Sequence, residues 1–143
     1  MRAVVNVLLL LFIAAAVLVA WAWEPDRSAE SLAERYRVTG SGFPEIGGMN
    51  AHVAVEGERP ALVLLHGTGA SLHTWNGWVG ELAGEFRIVR MDLPGFGLTG
   101  PHPDGDYSID AYVRFVHTVA DHLGLDRFHL AGNSLGGRIA WNY

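Results

Sequence analysis

Apolar positions cut the chain into two unequal parts. From Ala3 to Trp23 (AVVNVLLLLFIAAAVLVAWAW) no charge interrupts the run and only Asn6 is strongly polar. As a helix rising about 1.5 Å per residue, it reaches about 30 Å, one hydrocarbon thickness. Trp21 and Trp23 stand where an interfacial aromatic belt lies, and Glu24-Pro25-Asp26 ends the run. The pattern predicts a transmembrane anchor over 1–23. A cleaved signal segment is the competing expectation, because Ala20-Trp21-Ala22 fits a small-x-small site, although the run exceeds the usual apolar core of about 7 to 15 residues. Arg2 precedes the run and Glu24 and Asp26 follow it, which keeps the amino end cytoplasmic and puts the body on the extracytoplasmic side. Cleavage near Ala22 exports the body as well.

Residues 24–39 are a polar stalk with a short helical pattern, for which Asp26 or Ser28 would serve as cap. From residue 40 to 143 the pattern alternates between strand and helix. Gly47-Gly48 suits a tight turn and lies between Phe43–Ile46 and Met49–Glu56, a predicted β-hairpin. Arg59-Pro60 punctuates, and Ala61–Leu65 (ALVLL) is the continuous apolar run of a strand buried on both faces. Trp75, Trp78, Val79 and Leu82 recur at helical spacing, Phe86–Met91 returns to strand, and the Gly/Pro/Asp-rich stretch 92–107 is loop. Ile109, Tyr112, Val113, Val116, Val119 and Leu123 mark one face of a long helix, capped by Ser108, ended by Gly124, with Asp110 set to pair with Arg114. Phe128–Ala131 is another buried strand and Gly137–Tyr143 starts a helix. The expected class is α/β, a mostly parallel sheet with helices on both faces, preceded by the transmembrane helix.

Composition then removes alternatives. Ten Lys and Arg against fifteen Asp and Glu give a formal charge of -5 with no basic patch, which argues against a nucleic-acid partner. The chain has no cysteine, so any nucleophile is oxygen- or nitrogen-based and thiolate zinc sites are excluded. The histidines lack metal-ligand spacing; His117 and His122 are five apart on a helix. Oligomeric state is not legible.

The chemistry concentrates at Gly132-Asn133-Ser134-Leu135-Gly136, between the last strand and the last helix. A serine on a sharp strand-to-helix turn projects its hydroxyl, and small residues two before and two after let the chain double back. Gly132 and Gly136 meet that need. The following helix aims its free amides at charge developing on a substrate oxygen, which makes Leu135 N–H one oxyanion donor. The second is expected from the Gly-rich loop after Leu65, at Thr68 N–H with Gly69 as fallback. Bland alternatives stand beside these. Ser134 would otherwise sit in a structural or anion-cradling turn, but no G-x-x-x-x-G-K-[ST] or G-x-G-x-x-G occurs. His66 is expected to bond nearby backbone rather than act as base, Asp92 to brace its loop, and Trp75 and Trp78 to pack a helix.

L-H-G-T-G-A-S (65–71), M-D-L-P-G-F-G (91–97) and A-G-N-S-L-G-G (131–137), in that order and spacing, resemble the α/β-hydrolase superfamily. The resemblance, from about Gly40 to Tyr143, implies an eight-stranded mostly parallel sheet, no metal, no organic cofactor, and hydrolysis of a small acyl substrate through a covalent ester on Ser134. Members acting on epoxides or carbon–halogen bonds usually carry Asp there, so Ser134 favours ester-like, amide, thioester or ketone-flanked carbon–carbon bonds. The family's acid and histidine follow the nucleophile in chain order, and no histidine follows Ser134 here. The chain is therefore expected to be an N-terminal fragment, truncated after the nucleophile elbow, missing the lid and inactive alone. An acyltransferase or cofactor-free haloperoxidase would keep the same residues, and a non-catalytic binding or scaffold protein is the alternative outside enzymes.

Overall fold

A computed structural model describes residues 2–25, 27–58 and 60–143. The expected cap at Asp26 and the punctuation at Arg59 lie outside the described residues. The chain forms two compact units, divided between Ser31 and Leu32. In the first, α1 (Arg2–Ala22) is one unbroken helix with no buried residue. Its length and apolar composition suffice to cross a membrane. Ser28 Oγ then accepts from Ser31 N–H at 3.3 Å, capping α2 (Ala29–Tyr36), whose last turns belong to the second unit.

The second unit is built on a five-stranded sheet. Its strands are β1 (Ser41–Gly42), β4 (Val53–Glu56), β5 (Ala61–Leu65), β6 (Arg87–Met91) and β7 (His129–Gly132), in the order β1-β4-β6-β5-β7. β5 lies between β6 and β7 and is parallel to both, with Val63 opposite Val89 and Leu130. β4 pairs antiparallel with β6, and β1 with β4. All five side chains of β5 are buried, as its uninterrupted apolar run requires.

Helices cover both faces. On one, α4 (Ile109–His122) and α5 (Leu135–Asn142) bring Tyr112, Phe115, Val116, Val119 and Ile139 onto Val63, Leu65, Val89 and Met91. On the other, a 3-10 turn (Leu72–Trp75) and α3 (Asn76–Leu82) place Trp75 and Val79 over Leu62, Leu64 and Ile88. The two tryptophans differ. Trp75 is 7% exposed and Trp78 49%, resting edge-on against Trp75 with ring centres 5.3 Å apart; Trp75 packs the helix and Trp78 only lines its rim.

Three local expectations need correction. The strand expected to be buried over Phe128–Ala131 is β7, whose His129 is exposed and whose Leu130–Gly132 are only partly buried, because β7 forms an edge of the sheet. The run Met49–Glu56 is not one strand: β2 (Glu45–Ile46) and β3 (Met49–Asn50) form the hairpin over Gly47-Gly48 as a separate two-stranded sheet, while β4 joins the large one. The break falls at Ala51 and His52, whose N–H groups bond Pro44 O at 2.9 Å and Thr99 Oγ1 at 2.9 Å instead of a ladder partner. Arg114 pairs not with Asp110 but with Asp106 at 3.1 Å, in the loop ahead of the Ser108 cap. That cap forms as expected, Ala111 N–H donating to Ser108 Oγ at 3.2 Å.

Candidate active site

The parallel strands β5, β6 and β7 all end on one edge of the sheet, the edge where open α/β sheets hold ligands. Three loops leave it: 66–71, 92–107 and the turn at 133–134. The β7 turn is the sharpest. Ser134 has φ 52° and ψ −112°, the one non-glycine residue at positive φ among those described. Its side chain is exposed, and no hydrogen-bond partner of Oγ is found among the described residues.

Neighbouring glycines explain how the chain tolerates this bend. A Cβ on Gly132 would run into the backbone of Gly136, and one on Gly136 into the carbonyls of Leu65 and His66. The elbow is therefore pressed directly onto the end of β5. A bond from Asn133 N–H to Leu65 O at 3.0 Å fastens it there. Gly67, at the head of the β5 loop, lies so close that a Cβ there would be 3.2 Å from Ser134 Cβ and 3.8 Å from Oγ.

Backbone donors converge on the same edge. Leu135 opens α5, so its N–H has no intrahelical acceptor. Thr68 and Gly69 form the exposed turn next to Gly67, which Ala70 N–H closes onto Gly67 O at 3.3 Å. Among the described residues no acceptor is found for Leu135, Thr68 or Gly69 N–H.

The two side chains that resemble triad members are otherwise engaged. His66 is fully buried; its Nε2 accepts from Leu93 N–H at 3.0 Å, so the ring proton sits on Nδ1 and is donated to Gly67 O at 2.7 Å. It joins the β5 loop to the β6 loop. Burial pulls its pKa below the usual value against the opposing pull of Gly67 O and Asp92. Asp92 accepts from Leu72 N–H at 2.7 Å, Leu98 N–H at 2.8 Å and His52 Nδ1 at 2.8 Å. Burial alone would raise its pKa, but these three bonds outweigh it and the net direction is down. Sequence reasoning missed His52 as Asp92's partner, and missed Arg90, buried within β6 between Glu56, Asn76 Oδ1 and Leu72 O. An arginine inside the run FRIVRM was the available signal for the latter. No group of three or more His, Asp or Glu side chains comes together to hold a metal among the described residues.

Comparison with known proteins follows the same lines. Residues 60–143, more than half the chain, match the α/β hydrolase fold family. Human epoxide hydrolase 4 is 34% identical over 97 residues, 66% of this chain and 27% of that protein. The Xenopus laevis monoacylglycerol lipase abhd6-B is 35% identical over 89 residues, 61% of this chain and 26% of its own. A crystal structure of a membrane phospholipase A, described as a bacterial virulence factor, superposes with TM-score 0.71 at 30% identity, covering 99% of this chain and 46% of the other. The chain spans about three tenths of the length of the curated relatives it matches. A sheet of this topology, with an exposed serine at a glycine-flanked turn after β7, and these matches together identify the chain as a member of the α/β hydrolase fold family.

Proposed function

We propose that this chain carries the nucleophile and oxyanion hole of a membrane-anchored serine hydrolase that cleaves ester-like bonds. The observation that carries the reading is Ser134 itself: a side chain exposed at positive φ, with Gly67 backbone pressed against it. Strain of this kind persists only where surrounding structure over-determines it, and it clusters at functional sites.

Serine chemistry selects among the relatives' activities. Attack by Oγ on an epoxide or carbon–halogen carbon would leave an alkyl ether, with no carbonyl for water to attack, and the enzyme would stop after one turn. Attack on an acyl carbon forms an ester, releases the leaving group with a proton, and is reversed by water. Lipase-like rather than epoxide-opening chemistry follows, with amide, thioester and ketone-flanked carbon–carbon bonds as closely related substrates. The tetrahedral oxyanion is held by Leu135 N–H and Thr68 N–H, each such donor being worth about 10²–10³ in rate. His66 and His52 are already committed to Leu93, Gly67 and Asp92. The general base and its acid are assigned to the part of the relatives' length that these residues do not match. These residues alone are then inactive, because an unassisted alcohol is a weak nucleophile at neutral pH. α1 acts as the anchor and the sheet domain is extracytoplasmic.

A fluorophosphonate probe on the complete protein tests the assignment. Labelling that Ser134→Ala abolishes is the expected result. A folded complete protein that takes no probe is instead a binding protein on this fold.

A further inference from the structure

A charge stands on β6 where the sheet calls for an apolar side chain. Arg90 follows Ile88 by two residues and lies opposite Leu64 of β5, which puts it on the face that Trp75 and α3 cover. Its side chain is 4% exposed. Glu56 on β4 answers the charge, accepting from Nη2 at 2.6 Å and from Nε at 3.4 Å. Stability alone is weak ground for such a pair, because well-packed apolar residues of similar volume often serve a fold as well or better. The other amino group of the guanidinium reaches away from Glu56: Nη1 donates to Leu72 O at 3.3 Å and to Asn76 Oδ1.

Leu72 gives that reach its meaning. Its N–H donates to Asp92 Oδ1 at 2.7 Å, so Arg90 and Asp92, two residues apart in the chain and opposite in sign, grip the carbonyl and the amide of one residue. Leu72 also ends the loop 66–71 on which Thr68 stands. The head of that loop is held by His66, bonded to Leu93 N–H and Gly67 O. Between the two grips packing contributes little. Thr68 and Gly69 are exposed, a Cβ on Gly69 would meet nothing within 4 Å, and the bond from Ala70 N–H to Gly67 O ties the loop to itself rather than to the sheet. The placement of the Thr68 and Gly69 amides is thereby set from the loop's two ends.

We infer that Arg90 is a positioning residue for the oxyanion hole: by holding Leu72 O and Asn76 it fixes the trailing end of the loop whose Thr68 N–H meets the tetrahedral oxyanion. Arg90 itself touches no substrate. The inference rests on the serine hydrolase reading and assigns Arg90 a role in its transition state, where the oxyanion exists, and none in binding the ester. A displacement of about 1 Å in a catalytic group costs up to about 10²-fold in rate.

The test uses the complete protein with p-nitrophenyl acetate and its thiono analogue, in which sulfur replaces the carbonyl oxygen and accepts hydrogen bonds poorly. Arg90→Met combined with Glu56→Leu removes both charges together, so that neither is left buried alone, and the denaturation midpoint should stay near that of the parent. The acylation rate constant, read from the nitrophenolate burst, should fall on the order of tenfold for the ester with its dissociation constant unchanged. The thionoester should lose far less, so the ester-to-thionoester ratio drops as well. Arg90→Lys keeps one donor for Leu72 O without the fork that spans Leu72, Asn76 and Glu56, and should give intermediate values of both. A folded double variant that acylates at the parent rate overturns the inference, as does a loss shared equally by ester and thionoester. Should the double variant not fold, Arg90→Lys decides: a lowered ratio supports the inference and a parent-like ratio overturns it. Absence of ester turnover and of fluorophosphonate labelling in the unmutated protein is a separate result: it defeats the nucleophile assignment, and this inference with it.

Discussion

At Ser134 the backbone sits at φ 52° and ψ −112°, a sparsely populated conformation that costs a residue with a Cβ on the order of 1–3 kcal/mol. Ser134→Gly should therefore raise stability by about 1 kcal/mol, read as a higher denaturation midpoint, while abolishing probe labelling. Gly136→Ala should do the reverse. Its Cβ meets the Leu65 and His66 carbonyls, backbone that has nowhere to move, and the loss should reach about 3 kcal/mol. Gly69→Ala meets no neighbour and is strained only by its φ of +68°, so about 1 kcal/mol is expected there. His66 gives a pH signature. Its folded pKa lies below the usual 6.5, so in the window beneath 6.5 the unfolded chain binds a proton that the native ring refuses. Stability is complete above that value and drains as pH falls towards the depressed folded pKa. Thermal melts between pH 8 and 5 should show this slope, and His66→Gln should flatten it. The depressed Asp92 carboxylate acts lower, its contribution being lost only as pH falls below about 4. The serine and its glycines were legible because a short motif fixes them within five residues. The Asp92–His52 bond joins positions 40 apart, and no local pattern announces such a pair.

Among the elements, β5, α4 and the Ser108 cap were readable because each writes its own period into sequence: a continuous apolar run, a 3.6-residue stripe, a serine three residues before an amide in need of an acceptor. Met49–Glu56 was misread because its alternation continues across a break set by tertiary partners, Thr99 and Pro44. The Asp110–Arg114 pairing gave way to Asp106 for a related reason, a loop carboxylate coming within reach of the helix. Asp92 is the joint between these elements, tying the 3-10 turn, the loop after β6 and His52 to one carboxylate. Asp92→Ala would strand the buried Leu72 N–H, the part-buried Leu98 N–H and a buried imidazole, and should cost about 3–5 kcal/mol in denaturant unfolding. Asp92→Asn retains one acceptor and should cost less.

For the molecule as a whole, the apolar helix and the hydrolase sheet were both apparent from patterning, whereas the seating of Leu32 and Tyr36 beside the loops after β5 and β6 was not. That fact depends on where α2 folds back, recorded by the bond between His73 and Tyr36 O. With α1 serving as anchor, the complete protein should stay with the membrane pellet through an alkaline carbonate wash, and deleting residues 2–22 should release it to the supernatant. The strand order also bears on synthesis from the ribosome. Because β5 sits between β6 and β7, β6 docks on one flank as it emerges and β7 later takes the other. β6 fills the place between β4 and β5, both already synthesised, whereas β7 adds to a free flank. Of the three parallel strands β7 emerges last, and the bend at Ser134 follows it. During translation the turn at Ser134 is thus shaped only after the scaffold that must hold it is in place, and a nascent chain stalled before residue 129 would lack that bend.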